Sequence, residues 1–168
     1  MAGLLTVRES RVEELIRTLA LAPHLEGGYY REIWRGELGV EPSDARGRRS
    51  ALTSIYFLLP AGAISRWHRV RSDEIWHHYE GAPLELLLVP PGELRLDRLR
   101  LGPLGPEQAP ARCVPANWWQ AARSLGDYTL VGCTVAPGFE FGDFELLADR
   151  GPLADELCSA LPEALAFR

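Results

Sequence analysis

The chain has 168 residues, 46% of them hydrophobic and 24% charged, with a net charge of −5, which is the composition of a folded domain with a sizeable core and excludes a disordered segment. Its apolar runs are too short and interrupted for a membrane span, and no basic stripe offers itself to nucleic acid. All 18 basic residues are arginine, so Schiff-base chemistry and a Walker-type phosphate loop, both of which need lysine, are excluded as well.

The first residues, MAGLLTVRES, lack the basic and apolar regions of a secretory signal. Three widely spaced cysteines, Cys113, Cys133 and Cys158, make neither a disulfide framework nor a zinc ribbon and fit a reducing cytoplasm. Residues 1–168 read as one domain. Ser10-Arg11-Val12-Glu13 has capping-box spacing, with Thr6 and Glu9 offering an earlier start, and Val12, Leu15, Ile16 and Leu19 then share a helical face. Gly27-Gly28 marks a turn before an extended segment from Tyr29 to Trp34, and residues 36–49 read as an exposed loop. Glu26, Arg31 and Glu32 beside that turn suit a pocket rim or a dimer contact.

From Ala51 the pattern is β almost throughout. Strands are expected at 51–59, 64–69, 74–80, 84–89, 94–100, 112–114, 117–123, 128–136 and 143–147, separated by Pro and Gly turns. The absence of helix-length patterns between them predicts an all-β sandwich, jelly roll or barrel rather than a parallel α/β sheet. The tail, about 153–165, is expected to form a short helix or two over the outside.

Within this run Gly62 to Gly81 reads as strand, tight turn and returning strand, a hairpin that gathers three of the four histidines. Strand alternation puts Ile64, Arg66, His68 and Val70 on one face, and Glu74, Trp76 and His78 on one face of the return. Neither a G-x-S-x-G elbow nor an H-E-x-x-H motif occurs.

Gly62-x5-His68-x-Val70-x3-Glu74-x6-Gly81 is similar to the first cupin motif, and Pro115-x-Asn117-x2-Gln120 to the second. With HLEGGYYRE at 24–32 and APGFEFGDFEL at 136–146, the chain resembles a small family of the cupin superfamily over about residues 11–150. Leu25 stands where that family usually has proline. The resemblance implies an RmlC-like double-stranded β-helix, or jelly-roll barrel, with its core over about 25–150, an N-terminal helix and a short C-terminal helical tail. It also implies a homodimer with a small-molecule ligand inside the barrel, and carries no expectation of a nucleic-acid or membrane partner.

A cupin metal site takes three histidines and a glutamate; His68, Val70, Glu74 and Gln120 stand at those positions. The resemblance thus leaves His68, Glu74 and Gln120 as the candidate set for a divalent transition metal, with no cofactor as the other reading. His78 lies four residues past Glu74, roughly 13 Å at ~3.3 Å per residue, too far to share an ion whose bonds are about 2 Å. Without metal, His68 is the candidate general base and Glu74 its orienting carboxylate, the arrangement of a metal-independent epimerase or isomerase. Arg66, Trp76, His78 and Gln120 are the candidate ligand-binding residues, and Tyr56, Tyr79 and Tyr128 the candidate acids.

Overall fold

The computed structural model describes residues 9–168. The capping box sets the first helix: the Ser10 hydroxyl accepts from the Glu13 amide at 3.2 Å and the Glu13 carboxylate accepts from the Ser10 amide at 2.8 Å. Helix α1 follows as Arg11–Thr18, and the alternative start at Thr6 lies outside the described residues. Thirteen strands come next: β1 (Ala22–Pro23), β2 (Tyr29–Arg35), β3 (Gly39–Val40), β4 (Arg49–Ser50), β5 (Thr53–Pro60), β6 (Ile64–Val70), β7 (Asp73–Gly81), β8 (Leu84–Val89), β9 (Asp97–Leu101), β10 (Ala111–Val114), β11 (Trp119–Ser124), β12 (Tyr128–Ala136) and β13 (Phe144–Leu146). Helix α2 (Gly151–Ala160) and a 3-10 turn at Pro162–Phe167 make the tail.

Two antiparallel sheets face each other as a jelly roll, one in the order β1-β2-β5-β12-β7-β10 and the other β13-β6-β11-β8-β9. Between them pack Phe57, Leu59, Trp76, Leu86, Leu88 and Val131. The apolar run from Leu86 to Val89 in β8 has a simple cause. Leu86 and Leu88 point into the barrel, while Leu87 and Val89 point outward under α2 and the tail, so both faces are buried. The Trp67 indole donates to the Ala164 carbonyl at 3.0 Å and ties that outer layer down. Helix α1 covers the opposite sheet through Leu15, against Leu58 and Leu130.

The all-β jelly roll with flanking helices follows the sequence expectation, and three details differ. The loop at 36–49 contains the short β3–β4 pair. The strand expected at 51–59 begins at Thr53, and the one expected at 94–100 begins at Asp97. The third difference concerns Gly62 to Gly81, which is not a hairpin. β6 belongs to the five-stranded sheet and β7 to the six-stranded one, so Arg71-Ser72 is a corner between sheets. Strand periodicity predicts both strands but carries no information on which neighbour each will choose.

Residues 24–28 close one end of the barrel. The Arg66 amide donates to the Glu26 carbonyl at 2.8 Å, docking this segment on β6. Gly27 makes the approach possible: its φ is +112°, and a Cβ there would run into the Ile64 carbonyl. Replacing it should cost about 2–3 kcal/mol, because a strained backbone angle and a backbone clash add. Gly62, with φ +76° and open space around it, supplies the comparison at about 1 kcal/mol. Urea unfolding of Gly27→Ala and Gly62→Ala should show that order; equal losses would contradict the docking.

Candidate functional site

A cavity of about 310 Å³ opens between the sheets. The corner at Arg71-Ser72 puts its chemistry on two walls: His68 projects from β6, and Glu74 faces it from β7. Both side chains are buried.

The partner of His68 is Glu26, not Glu74. The His68 Nε2 atom lies 3.4 Å from Glu26 Oε2, and His24 Nδ1 lies 3.3 Å from the same oxygen. The other Glu26 oxygen accepts from the Ser65 hydroxyl at 2.7 Å. His68 Nδ1 is 2.8 Å from the Arg66 carbonyl. A carbonyl can only accept, so Nδ1 carries a hydrogen and Nε2 is the atom free to exchange a proton with Glu26 or with a guest in the cavity. Burial pushes the Glu26 carboxyl up, but the charges of His68 and His24, with hydrogen bonds from His24 and Ser65, outweigh it and hold the group below the ordinary 4.5.

Glu74 is in the opposite situation. Burial pushes it up, the charge of His68 pulls it down, the nearby Glu26 carboxylate adds to the rise, and the net direction is upward. Its Oε2 accepts from Gln120 Nε2 at 2.7 Å, and Gln120 Oε1 accepts from the Trp76 indole at 3.0 Å. An indole N–H only donates, so the Gln120 oxygen must face Trp76 and its NH₂ must face Glu74.

This chain of bonds bears on the expected metal set. Gln120 turns a hydrogen-bond donor, not an oxygen lone pair, toward Glu74, and Val70 offers no donor atom at all. His68 is engaged with Glu26. Among the described residues, no group of three or more His, Cys, Asp or Glu side chains is arranged to hold a metal ion. The residues at the cupin metal positions therefore do not fit a metal as they stand.

The other expected ligand residues spread out. Arg66 was expected to share a face with His68, but β6 carries one extra residue between the pairs Ser65–Ala122 and His68–Gln120. That bulge turns Arg66 off the pocket wall, where its guanidinium donates to the Leu25 carbonyl. Trp76 and Gln120 sit behind Glu74 as its support and do not line the cavity. His78 keeps the inward face of β7, pairing with Val131, but lies at the far end, 3.3 Å from the Ala82 carbonyl. Tyr56 and Tyr79 pack edge to face away from the cavity, and Tyr128 donates to Glu80 at 2.7 Å. The tyrosine that lines the cavity is Tyr30, packed edge-on against His24 at 4.5 Å.

His24, Glu26 and Tyr30 were outside the candidate base–acid set. All three lie in HLEGGYYRE, whose paired glycines signal a close backbone approach, and that signal could have pointed to a buried Glu26. Phe139, Phe141 and Phe144 complete the wall. Their segment is held by Asp143, which accepts from Arg49 at 2.8 and 2.9 Å and from Arg46 at 3.3 Å. The loop expected to be exposed thus buries Arg46 to secure the pocket wall.

Residues 13–147 match the family model described as Cupin superfamily (DUF985). A solved protein of Shewanella oneidensis is 36% identical, with 87% of this chain and 90% of that chain covered and a TM-score of 0.77. A hypothetical protein from Leishmania major is 30% identical, covering 86% and 94%, with a TM-score of 0.75. An oxalate decarboxylase of Bacillus subtilis, a protein with Mn(II) centres, shares the fold at 17–19% identity; one of its structures covers 76% of this chain and 30% of that one, with a TM-score of 0.56. No curated protein matches the chain.

The two buried carboxyls should give opposite signatures with pH. Glu26, lowered in the fold, stabilises above its unfolded value and loses that contribution as pH falls through the folded one. Glu74, raised in the fold, contributes fully below about 4.5 and loses stability as pH rises through its folded value. Thermal melts of Glu74→Gln should therefore gain several degrees over the wild type at pH 8 and little at pH 4. Glu26→Gln should lose stability at pH 7. A Glu74→Gln variant that melts lower at pH 8 would contradict this assignment.

Proposed function

Because the chain belongs to the DUF985 family of the cupin superfamily, we propose that its barrel pocket binds a small polar metabolite and that the Glu26–His68 pair moves a proton on it without a metal. The observation that carries this reading is the buried Glu26 carboxylate 3.4 Å from His68 Nε2 at the wall of the cavity. A cavity of about 310 Å³ sits near the lower end of small-molecule pockets, ~300–1,000 Å³. That size suits a free monosaccharide or a metabolite of similar bulk; the nucleotide of a nucleotide-sugar would have to stay outside.

The chemistry supported best is that of an isomerase or epimerase. His68 Nε2 takes the proton from a carbon beside a carbonyl, and the Glu26 carboxylate 3.4 Å from that same nitrogen accepts or shares it. Glu74 stands on the opposite wall, and burial favours its protonated form. Two carboxyls pushed in opposite directions divide the base and acid roles between them. The alternative, a divalent transition metal on His68, Glu74 and Gln120, requires the Gln120 oxygen to leave the Trp76 indole, and nothing in the donor set favours that exchange. Three free cysteines support a reducing, cytoplasmic setting, and the family resemblance supports a homodimer.

Incubation in D₂O with monosaccharides that carry a C–H beside a carbonyl tests the reading. Deuterium should enter that position, with the rate falling about 10²–10⁴-fold in His68→Ala and also falling in Glu26→Gln while circular dichroism stays native. Dialysis against a chelator should leave the rate unchanged. Exchange that survives His68→Ala, or that is lost to the chelator, would overturn it.

A further inference from the structure

The charges lining the cavity are unbalanced, and the imbalance says something about the guest. Among the described residues one guanidinium lines the cavity, that of Arg35, and four of its five N–H donors are taken. Nε and Nη2 donate to the two Glu32 oxygens at 3.1 and 2.8 Å, Nη1 donates to Glu140 at 2.9 Å, and Nη2 also reaches the Phe139 carbonyl at 3.1 Å. Among the described residues, a phosphate or carboxylate entering the cavity would find at the mouth one spare N–H on a guanidinium already paired to Glu32 and Glu140, and would face both of those carboxylates. Further in, Glu26 and Glu74 stand with His24 and His68. With His68 neutral as the base and Glu74 protonated as the acid, Glu26, Glu32 and Glu140 still outnumber Arg35 and a protonated His24 by one.

Much of the remaining wall is aromatic, beside the aliphatic Ile55, Val70 and Val135. Phe139, Phe141 and Phe144 stand at steep angles to one another, with 5.2 Å and 82° between the first two rings and 6.0 Å and 67° between Phe139 and Phe144. Tyr30 and Phe57 add two more rings on the sheet side. Ring faces attract cations, and more strongly where water is excluded. A low-dielectric cleft with an excess of one sign of charge also focuses its field on whatever enters.

We propose that the metabolite taken by this pocket is a small organic cation, carrying an ammonium or guanidinium group, rather than a sugar phosphate, a nucleotide-sugar or another anion. The inference rests on the reading of the cavity as a small-molecule pocket and narrows the guest it accepts. The positive group meets the aromatic wall and the carboxylates of Glu32 and Glu140, leaving the neutral part of the molecule for Glu26, His68 and Glu74.

Cys133 lines the cavity and can report its potential. The probes are three methanethiosulfonates of similar size: one ending in trimethylammonium, one in methyl and one in sulfonate. Peptide mass spectrometry follows modification of Cys133, and of an introduced thiol in Ile55→Cys in case burial leaves Cys133 too slow. The ratio of the trimethylammonium rate to the sulfonate rate should exceed that of a simple thiol in solution by about tenfold or more. In Glu32→Gln/Glu140→Gln, which leaves Arg35 as the charge at the mouth, the preference should fall and turn toward the sulfonate. A ratio equal to or below that of the simple thiol overturns the cation assignment and leaves the pocket standing. If even the methyl reagent modifies neither thiol in the folded protein, the cavity admits no small molecule, and the pocket reading falls with it.

Discussion

Burying the Glu26 carboxylate at the end of a barrel costs several kcal/mol unless its charge is answered, and the geometry around it is the set of answers. Ser65 gives one hydrogen bond, while His24 and His68 bring two imidazoles to the other oxygen. Each of these depends on something less visible. Ser65 and His68 both face inward only because β6 carries an extra residue between them. Glu26 reaches them only because Gly27 lets its segment lie against the backbone of Ile64. A carboxylate, a bulge and a glycine are therefore one constraint, and the inner chemistry of the cavity rests on it.

Across the cavity, Glu74 is held by a different logic. Trp76 fixes Gln120, and Gln120 fixes Glu74, through bonds whose direction is set by an indole that can only donate. The positions that would bind metal in a cupin with three histidines and a glutamate have become a hydrogen-bonded support for one carboxyl. Burial then raises that carboxyl while Glu26 is lowered.

Much of this was legible in the amino-acid order, and the gaps have physical causes. The capping box at Ser10 and the strands at 84–89 and 128–136 depend on local patterning, and they appear with the expected boundaries. The corner between β6 and β7 was read as a hairpin because two short strands and a tight link look the same whether the strands pair or part. Nothing in ISRWHRV marks the extra residue, so Arg66 was placed beside His68 by an alternation that the bulge breaks. Sequence alone leaves Glu26 at a pocket rim or a dimer contact, because Ser65 and His68, which bury it, come from a strand some 40 positions later in the chain. Its burial is a tertiary fact, hinted at only by the two glycines that follow it.

The claim most exposed to contradiction is that Glu26, and not Glu74, is the carboxylate in contact with His68. Histidine ¹⁵N NMR reads this directly through the two ring nitrogens. The Nδ1 resonance of His68 should be that of a protonated nitrogen across the neutral range, and its Nε2 resonance should move in Glu26→Gln and stay nearly fixed in Glu74→Gln. An unprotonated Nδ1, or an Nε2 resonance that answers to Glu74→Gln and ignores Glu26→Gln, would contradict the account.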